Sequence, residues 1–277
     1  MWSEMSLQRL EAAYSPSSVA PGYQAIVAQY RSRSEPLLRH PGMRRLPYGR
    51  GADEYALLFE PENRDWRALL VYFHGGYWQE LSAEDSCFPA PALLERGIAY
   101  AAVNYTLAPA AGIGAIVQQC RAATAALAAL RPGARMVLAG SSAGAHLAAM
   151  AAADPGRDPA RAPVAGAVLL SGIYDLRPLV PTYINQALDM DEVEALAASP
   201  QYLPPDPAVV TLVGWGSDET DEFKRQSAEY AAHLLAAGAA CSSHEAAGRN
   251  HFDIPFDLTD AQTRLGRDTF LLLGEPA

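Results

Sequence analysis

The chain has 277 residues, half of them hydrophobic, and a formal net charge of −10 at pH 7. This length and apolar content fit one large domain with a sizeable core. The acidic balance argues against nucleic acid and anionic membranes as partners, because both attract positively charged surfaces.

Cysteine usage and the N-terminus indicate the compartment. The three cysteines, Cys87, Cys120 and Cys241, are widely spaced and form neither a metal-binding pattern nor a disulfide framework. The N-terminus lacks the basic region and apolar stretch of a signal peptide. No run of about 18 apolar residues is present, so no membrane span is expected. We therefore predict a cytoplasmic protein without a metal site.

Apolar runs and helical patterns alternate along most of the chain. Residues 1–42 mix helix and turn signals and are predicted to form an N-terminal arm packed on the core, which spans residues 43–277. Strands are predicted at Met43–Tyr48, Tyr55–Phe59, Leu69–Phe73, Ile98–Tyr105, Met136–Ala139, Val164–Leu170, Val209–Val213 and Cys241–Ala246. Helices are predicted at Glu84–Glu95, Ile113–Leu130, Ala143–Ala152, Asp221–Ala237 and Leu258–Leu273.

This alternation predicts an α/β fold with a mostly parallel central sheet of about eight strands and helices on both faces. The first two strands lack an intervening helix and are expected to form an antiparallel edge. The proline-rich segment of about residues 174–205 breaks the alternation, and we predict that it forms a small cap or pocket wall.

A pentapeptide of small residues, Gly140-Ser141-Ser142-Ala143-Gly144, follows the fifth predicted strand and precedes an alanine-rich helical pattern. A Gly-x-Ser-x-Gly turn of this kind lifts the serine hydroxyl clear of the sheet and points the next backbone N–H at the reacting carbonyl oxygen. The glycines suit a turn too tight for side chains. Such turns are common, so the interpretation of Ser142 as a nucleophile needs support from elsewhere in the chain.

That support comes from three other strand ends. The third predicted strand ends in His74-Gly75-Gly76, which exposes bare backbone N–H groups able to hold an oxyanion. His251 lies in a loop after the last strand, and an acid-bearing loop follows Val209–Val213. The chain order of serine, acid and histidine is that expected of a hydrolase, with His251 as general base.

The acid that orients the histidine is not unique in the sequence. Asp218 and Glu219 are the first candidates, with Asp221 and Glu222 behind them. The last two have a simpler interpretation if Thr220 caps the following helix, because they then offset the helix dipole from its first turn. We favour Glu219 over Asp218.

The remaining site residues follow from their positions beside these groups. Backbone N–H groups are expected to form the oxyanion hole, those of Gly75, Gly76, Tyr77 and Ala143. Aromatic side chains near the reactive groups are expected to line the substrate pocket, namely Trp78, Tyr174, Trp215 and Phe252. His74 and His146 are interpreted as structural.

Together these motifs resemble the α/β-hydrolase superfamily, and within it the arylformamidase (kynurenine formamidase)-like branch, which is related to the hormone-sensitive-lipase type of esterase. The residues that carry the resemblance lie in residues 74–79, 140–148, 170–178, 222–227 and 251–252, and the N-terminal arm is also similar. The resemblance implies a Ser–acid–His hydrolase without metal or organic cofactor. It also implies Glu219 as the acid, where an aspartate is commoner. Tyr77 stands where lipase-like relatives carry a third glycine, which suggests small acyl groups such as formyl or acetyl.

The leading hypothesis is therefore a serine hydrolase that removes a small acyl group from an aryl amide or ester through an acyl-enzyme intermediate. N-formylkynurenine is the natural substrate of the resembled branch. A generalist carboxylesterase or thioesterase is the alternative, and a non-catalytic ligand-binding member of the fold is a more distant one. The expected partner is a small molecule, and the residues do not decide between a monomer and a homodimer.

Overall fold

Eight strands form one sheet in the computed structural model, which describes residues 2–62, 64–153 and 162–275. The strands are β1 (Met43–Pro47), β2 (Tyr55–Phe59), β3 (Ala68–Phe73), β4 (Ala99–Val103), β5 (Arg135–Ser141), β6 (Gly166–Leu170), β7 (Val210–Gly216) and β8 (Cys241–Ala246). Each coincides with a strand predicted from the sequence.

The sheet is mostly parallel, with the order β1-β2-β4-β3-β5-β6-β7-β8. In the described residues, β1 pairs antiparallel with β2, as the missing helix between them predicted, and β2 also pairs antiparallel with β4. All other neighbours pair parallel. Because β3, β5, β6, β7 and β8 point the same way, the loops at their carboxyl ends meet along one edge, where ligands bind in open α/β sheets.

Helices occupy the connections. They are α1 (Leu7–Ala13), α2 (Tyr23–Ser34), α3 (Ala90–Leu94), α4 (Ile113–Leu130), α5 (Ala143–Ala152), α6 (Asn185–Leu188), α7 (Glu192–Ala197), α8 (Asp221–Ala236) and α9 (Arg264–Leu272).

Two helices are shorter than predicted. The pattern over 84–95 yields only α3, because Pro89 and Pro91 are tolerated in the first turn of a helix but not in its interior. The last helix begins at Arg264 because Thr263 caps it, accepting a hydrogen bond from the backbone N–H of Gly266.

Both faces of the sheet are covered. Along β3, the alternate side chains of Leu69, Val71 and Phe73 join a core shared with α4, α5 and α8. The side chains of Leu70 and Tyr72 point to the opposite face and join a core shared with α3 and α9. The sheet is therefore buried on both sides, which explains why its central strands are almost wholly apolar.

The arm and the proposed cap hold the remaining helices. The arm contains α1 and α2, and α1 packs beside α8. The segment of about residues 174–205 contains α6 and α7 with short 3-10 turns, and Asp191 and Glu194 form a capping box at the start of α7. The division into an arm, a core and a cap remains our interpretation.

Helix α4 is long and apolar enough to cross a membrane by length and composition, with a mean hydropathy of 1.3. Its apolar side chains, such as those of Ile116, Val117 and Leu127, are buried in the core. Gln118, Gln119 and Arg121 interrupt the apolar run. A core helix of this kind passes the same test, so it is weak evidence for a membrane span.

Candidate active site

Ser142 occupies a sharp turn between β5 and α5. Its backbone has φ 58° and ψ −123°, a conformation that side-chain-bearing residues adopt at a cost of about 1–3 kcal/mol. The N–H of Ser142 donates to the carbonyl of Leu170 on the neighbouring strand at 2.8 Å, which holds the turn in place. The strained position lies between a buried strand and a buried helix, so the surrounding fold enforces it.

The two glycines of the pentapeptide are required by close backbone contacts. A Cβ atom at Gly140 would lie 2.3 Å from the carbonyl carbon of Gly144, and a Cβ at Gly144 would lie 1.9 Å from the carbonyl oxygen of Phe73. Neither contact is sterically allowed. The turn can therefore form only with glycine at both positions.

His251 and Glu219 form a buried pair. The Nδ1 atom of His251 lies 2.9 Å from Oε2 of Glu219, and both side chains are almost fully shielded from solvent. The ring of Phe223 packs against the imidazole with centroids 4.4 Å apart. With Nδ1 occupied by the carboxylate, Nε2 is the ring nitrogen left to exchange a proton with a substrate or nucleophile.

The second oxygen of Glu219 is also fixed. Oε1 accepts hydrogen bonds from the Ser171 hydroxyl at 2.5 Å and from the backbone N–H of Gly216 at 2.6 Å. These donors hold the carboxylate in the orientation that places its other oxygen on His251. Ser171 was not singled out as a site residue from the sequence, although it immediately follows β6, whose carboxyl end lies at the site.

The other acidic candidates lie elsewhere. Asp218 is exposed and accepts a hydrogen bond from the Ser217 hydroxyl. Glu222 accepts hydrogen bonds from Arg225 and from the Tyr14 hydroxyl. Thr220 occupies the N-cap position of α8, but its hydroxyl does not cap the helix. The hydroxyl donates instead to the carbonyl of Ala13 in the arm, but Asp221 and Glu222 do lie in the first turn of the helix, as expected.

The glycines after β3 run directly beside Ser142. A Cβ at Gly75 would lie 3.4 Å from the Cβ of Ser142, and Gly76 has φ +92°, a conformation that favours glycine. Tyr77 follows with φ 49°. Ala143 is the first residue of α5, so its N–H has no acceptor within the helix. Backbone N–H groups from two segments are therefore available near the serine.

The serine, the histidine and the glycines after β3 line one cavity of about 280 Å³. Its lining includes Ser142, His251, Gly75 and Gly76. Much of the remaining wall is aromatic, contributed by Tyr23, Tyr30, Tyr72, Tyr77, Phe88, Tyr183 and Phe252. Such a wall suits a planar apolar ligand.

Comparisons with known proteins agree with this geometry. The family model for the alpha/beta hydrolase fold matches residues 70–253, the stretch that contains the turn at Ser142 and the His251–Glu219 pair. The chain belongs to the α/β-hydrolase fold family.

Full-length relatives of this α/β hydrolase share one name. Kynurenine formamidase of Danio rerio is 32% identical over 99% of both chains, and that of Salmo salar is 31% identical over 99% of both. These relatives confirm the resemblance that the sequence motifs predicted.

Solved structures show the same fold. A candidate thioesterase from Silicibacter sp. TM1040 is 30% identical, covers 93% of this chain and 97% of its own, and superposes with a TM-score of 0.82. An esterase from Pyrobaculum calidifontis is 21% identical over 92% of this chain and 94% of its own, with a TM-score of 0.69.

Of the aromatic residues expected in the pocket of this α/β hydrolase, only Phe252 lines the cavity. Trp78 is fully buried in the core and packs edge-on against His146, with ring centroids 5.0 Å apart. Gly76, Tyr77 and Trp78 all have positive φ values, that of Trp78 being 61°. This backbone path directs the side chain of Tyr77, rather than that of Trp78, toward the cavity. The expectation for Trp78 is therefore wrong.

Tyr174 and Trp215 are also not among the residues that line the cavity. Tyr174 is fully buried and stacks on Tyr230 with centroids 4.2 Å apart. Trp215 is partly buried, and its ring nitrogen donates to Glu245 on β8 at 3.1 Å. Both expectations are wrong, because the ring of Tyr174 packs in the core and the ring of Trp215 bonds to β8 instead of facing the cavity.

The arm supplies wall residues that sequence reasoning missed. Tyr23 and Tyr30 on α2 line the cavity, together with Val27 and the turn at Ser15, Pro16 and Ser17. A signal existed, because tyrosines recur at positions 14, 23 and 30 of the arm. Nothing local in the sequence, however, says which surface they cover.

Neither cysteine pairs nor metal clusters are found in residues 2–62, 64–153 and 162–275. The three cysteines are free, with Cys87 and Cys120 buried. No group of three or more His, Cys, Asp or Glu side chains that could hold a metal ion occurs in these ranges.

Two buried histidines make the stability of this α/β hydrolase depend on pH. Burial lowers the pKa of His74 and of His146 to about 4, whereas the pKa of a histidine in the unfolded chain is about 6.5. The unfolded chain therefore binds protons first, so we expect stability to fall as the pH decreases from about 6.5 toward about 4.

Urea denaturation between pH 7 and pH 5 measures this effect. His146→Gln should reduce the loss of stability on acidification, because its amide can still donate to the carbonyl of Ala198, which now lies 2.7 Å from Nε2, without titrating. An equal loss in the wild type and the variant would contradict this assignment.

Proposed function

We propose that this α/β hydrolase removes a small acyl group from aryl amides or esters, with Ser142 as nucleophile, His251 as general base and Glu219 as the orienting acid. The observation that carries the proposal is the buried His251–Glu219 pair, with the imidazole lining the same cavity as the strained Ser142. These are the parts that an activated serine requires.

The chemistry follows in two steps. In the first, the Oγ of Ser142 bonds to the acyl carbon while Nε2 of His251 takes the hydroxyl proton, and Glu219 stabilises the imidazolium. The negative charge on the acyl oxygen is met by the N–H of Ala143 and by those of residues 75–77. The tetrahedral species collapses, the bond to the amine or alcohol breaks, and His251 protonates the leaving group.

In the second step, water replaces the leaving group. His251 removes a proton from the water, whose oxygen attacks the acyl carbon. The bond to Ser142 breaks, the serine regains its proton from the imidazolium, and the small acid leaves. The chain's own residues supply every proton transfer in this scheme.

The substrate class rests on the relatives and on the wall of the cavity. The full-length relatives named kynurenine formamidase point to an N-formyl aryl amine, and the aromatic wall fits an aryl group. Tyr77 narrows the segment beside the serine, which supports formyl or acetyl as the acyl group. N-formylkynurenine is therefore the substrate that we propose first.

A turnover experiment separates this substrate from the alternatives. The purified protein should hydrolyse N-formylkynurenine with a higher kcat/KM than p-nitrophenyl acetate or an acetyl thioester. Preference for p-nitrophenyl acetate would favour a generalist carboxylesterase, and preference for the thioester would favour the activity named for the Silicibacter neighbour. No turnover of any of the three by folded protein would refute the proposal.

The charge of the cavity wall gives a further prediction. Glu80 is exposed and lines the cavity, and no lysine or arginine of the described ranges is among the lining residues. We expect 4-(aminomethyl)phenyl acetate to have a lower KM than 4-carboxyphenyl acetate. Glu80→Gln should reduce the advantage of the ammonium by about two- to fivefold, the range of an exposed ion pair.

Phenyl acetate serves as the control for this prediction. Its kcat and KM should be nearly the same in the wild type and in Glu80→Gln, because it carries no charge. An unchanged ratio between the two charged substrates in the variant would show that the Glu80 carboxylate does not face them.

A further inference from the structure

The N-terminal arm is hydrogen-bonded to the segments that carry the proposed catalytic groups. We define the oxyanion loop as residues 74–81, the acid loop as 217–220 and the histidine loop as 247–253. Each of the three makes at least one hydrogen bond with the arm. These contacts are additional to the wall that the arm contributes to the cavity.

Two of the loops bind successive carbonyls at the end of α1. The Tyr77 hydroxyl donates to the carbonyl of Tyr14 at 2.5 Å, and the Thr220 hydroxyl donates to the carbonyl of Ala13 at 2.6 Å. The last carbonyls of a helix have no N–H partner within the helix, so they can accept hydrogen bonds from other segments. Two successive peptide groups of the arm therefore bridge the oxyanion loop and the acid loop.

The third loop is held by α2. The Tyr30 hydroxyl donates to the carbonyl of Phe252, and the ring of Tyr23 stacks on the ring of Phe252 with centroids 4.7 Å apart. Phe252 directly follows His251, just as Thr220 directly follows Glu219. In both cases the arm forms a hydrogen bond with the residue that follows a proposed catalytic residue, through the carbonyl of Phe252 and the hydroxyl of Thr220.

Tyr14 and Thr220 of this bridge are buried, and Tyr14 is held by further hydrogen bonds. Tyr14 is fully buried, its hydroxyl donates to Glu222 at 3.0 Å and accepts from the Gln226 side chain at 2.8 Å. Burial raises the pKa of Tyr14 well above its ordinary value, so the hydroxyl stays a donor. Thr220 is also buried, so loss of its partner would leave a buried polar group unsatisfied.

We propose that the arm is a positioning clamp, in which the hydroxyls of Tyr30, Tyr77 and Thr220 fix the relative placement of the imidazole, the oxyanion donors and the carboxylate. This inference rests on the proposed function, because it concerns the geometry of the same catalytic groups. It assigns the three hydroxyls as positioning groups, because each donates to a backbone carbonyl rather than to a reacting atom. Displacements of about 1 Å are costly for catalysis, so small tethers have measurable effects.

Thr220→Val is the first test, because valine keeps the shape of threonine and removes the hydroxyl. Its kcat for p-nitrophenyl acetate should fall about three- to tenfold with KM little changed, since one buried hydrogen bond is worth about 1 kcal/mol. Thr220→Ser, which keeps the hydroxyl, should restore most of the rate. Tyr30→Phe should behave as Thr220→Val does, and it keeps the test open if the valine variant folds poorly.

The matched control removes a tyrosine hydroxyl that donates to a backbone carbonyl away from the site. Tyr48 donates to the carbonyl of Asn104 at 2.6 Å, and neither residue lines the cavity. Tyr48→Phe should leave kcat within about twofold of the wild type at a comparable loss of melting temperature. A purely structural role for the arm predicts equal rate losses in Tyr48→Phe and Thr220→Val, which would overturn the clamp.

Proton NMR of the His251 imidazole separates failure of the clamp from failure of the proposed function. It follows His251 directly and requires no turnover. The clamp predicts that Thr220→Val and Tyr30→Phe shift and weaken the NMR signal of the proton between Nδ1 of His251 and Glu219, whereas Tyr48→Phe leaves that signal unchanged. Unchanged signals in both clamp variants would overturn the clamp, even if the wild type turns over substrate. A wild type without turnover but with the predicted shifts would refute the function and retain the clamp.

Discussion

Ser142→Ala is expected to lower kcat/KM for the best acyl substrate by roughly 10⁴- to 10⁶-fold, the range found when a serine nucleophile is removed. The fold should persist, because Cα and Cβ remain in place and alanine can occupy the same buried site. The activity is measured by steady-state kinetics, and the fold by circular dichroism and the melting temperature.

Ser141→Ala is the matched control for this variant. Ser141 is buried next to Ser142 and lines the same cavity, but its hydroxyl has no role in the proposed chemistry. We expect its kcat/KM to stay within about tenfold of the wild type, as for a change that touches neither donor nor acceptor of the reaction. Comparable losses in the two variants would show that the hydroxyl of Ser142 is not the nucleophile.

Glu219→Gln is expected to have the second largest effect, a fall in kcat of roughly 10³- to 10⁴-fold. A carboxamide keeps the size of the side chain but can present an N–H to Nδ1 of His251, which favours the wrong tautomer of the imidazole. The hydrogen bonds from Ser171 and Gly216 can still be accepted by the amide oxygen, so the loop should stay folded.

Asp218→Asn is the control that distinguishes the adjacent acids. Asp218 is exposed and hydrogen-bonded to Ser217, so its loss should change kcat by less than about threefold. The reverse ranking of the two variants in measured rates would transfer the acid role to Asp218. Equal and small losses would mean that neither carboxylate orients His251.

The sequence predicted the elements whose determinants are local. Apolar runs placed the inner strands β2 to β7, because burial on both faces requires continuous apolar side chains. The edge strands β1 and β8 are mixed in polarity and partly exposed. The turn at Ser142 was also predictable from the sequence, because its close backbone contacts at positions 140 and 144 admit only glycine. The predicted ends of two helices were wrong, because Pro89 and Pro91 limit α3 and the cap at Thr263 sets the start of α9.

Side-chain direction in the loops was less predictable. Two adjacent acids follow β7, and only the path of the loop decides that Glu219 contacts His251. Likewise Tyr77 and Trp78 are neighbours with positive φ, and the backbone twist sends the first toward the cavity and the second into the core. Propensity and pattern do not encode such choices, because tertiary packing makes them.

The contribution of the arm was beyond sequence reasoning for a different reason. The hydrogen bonds that Tyr30 and Thr220 make join residues more than 200 positions apart in the chain. The mixed helix and turn signals of the arm do not show that it packs on the catalytic loops. Contacts at such separation follow from the complete topology rather than from any local signal.

The most direct test of the central claim is covalent labelling with an organophosphate followed by intact-mass and peptide analysis. An activated serine should take up one phosphoryl group per chain, located on Ser142, and the label should be absent from Ser142→Ala and strongly slowed in His251→Ala. Folded wild-type protein that takes up no label, or that carries it on another residue, would contradict the account.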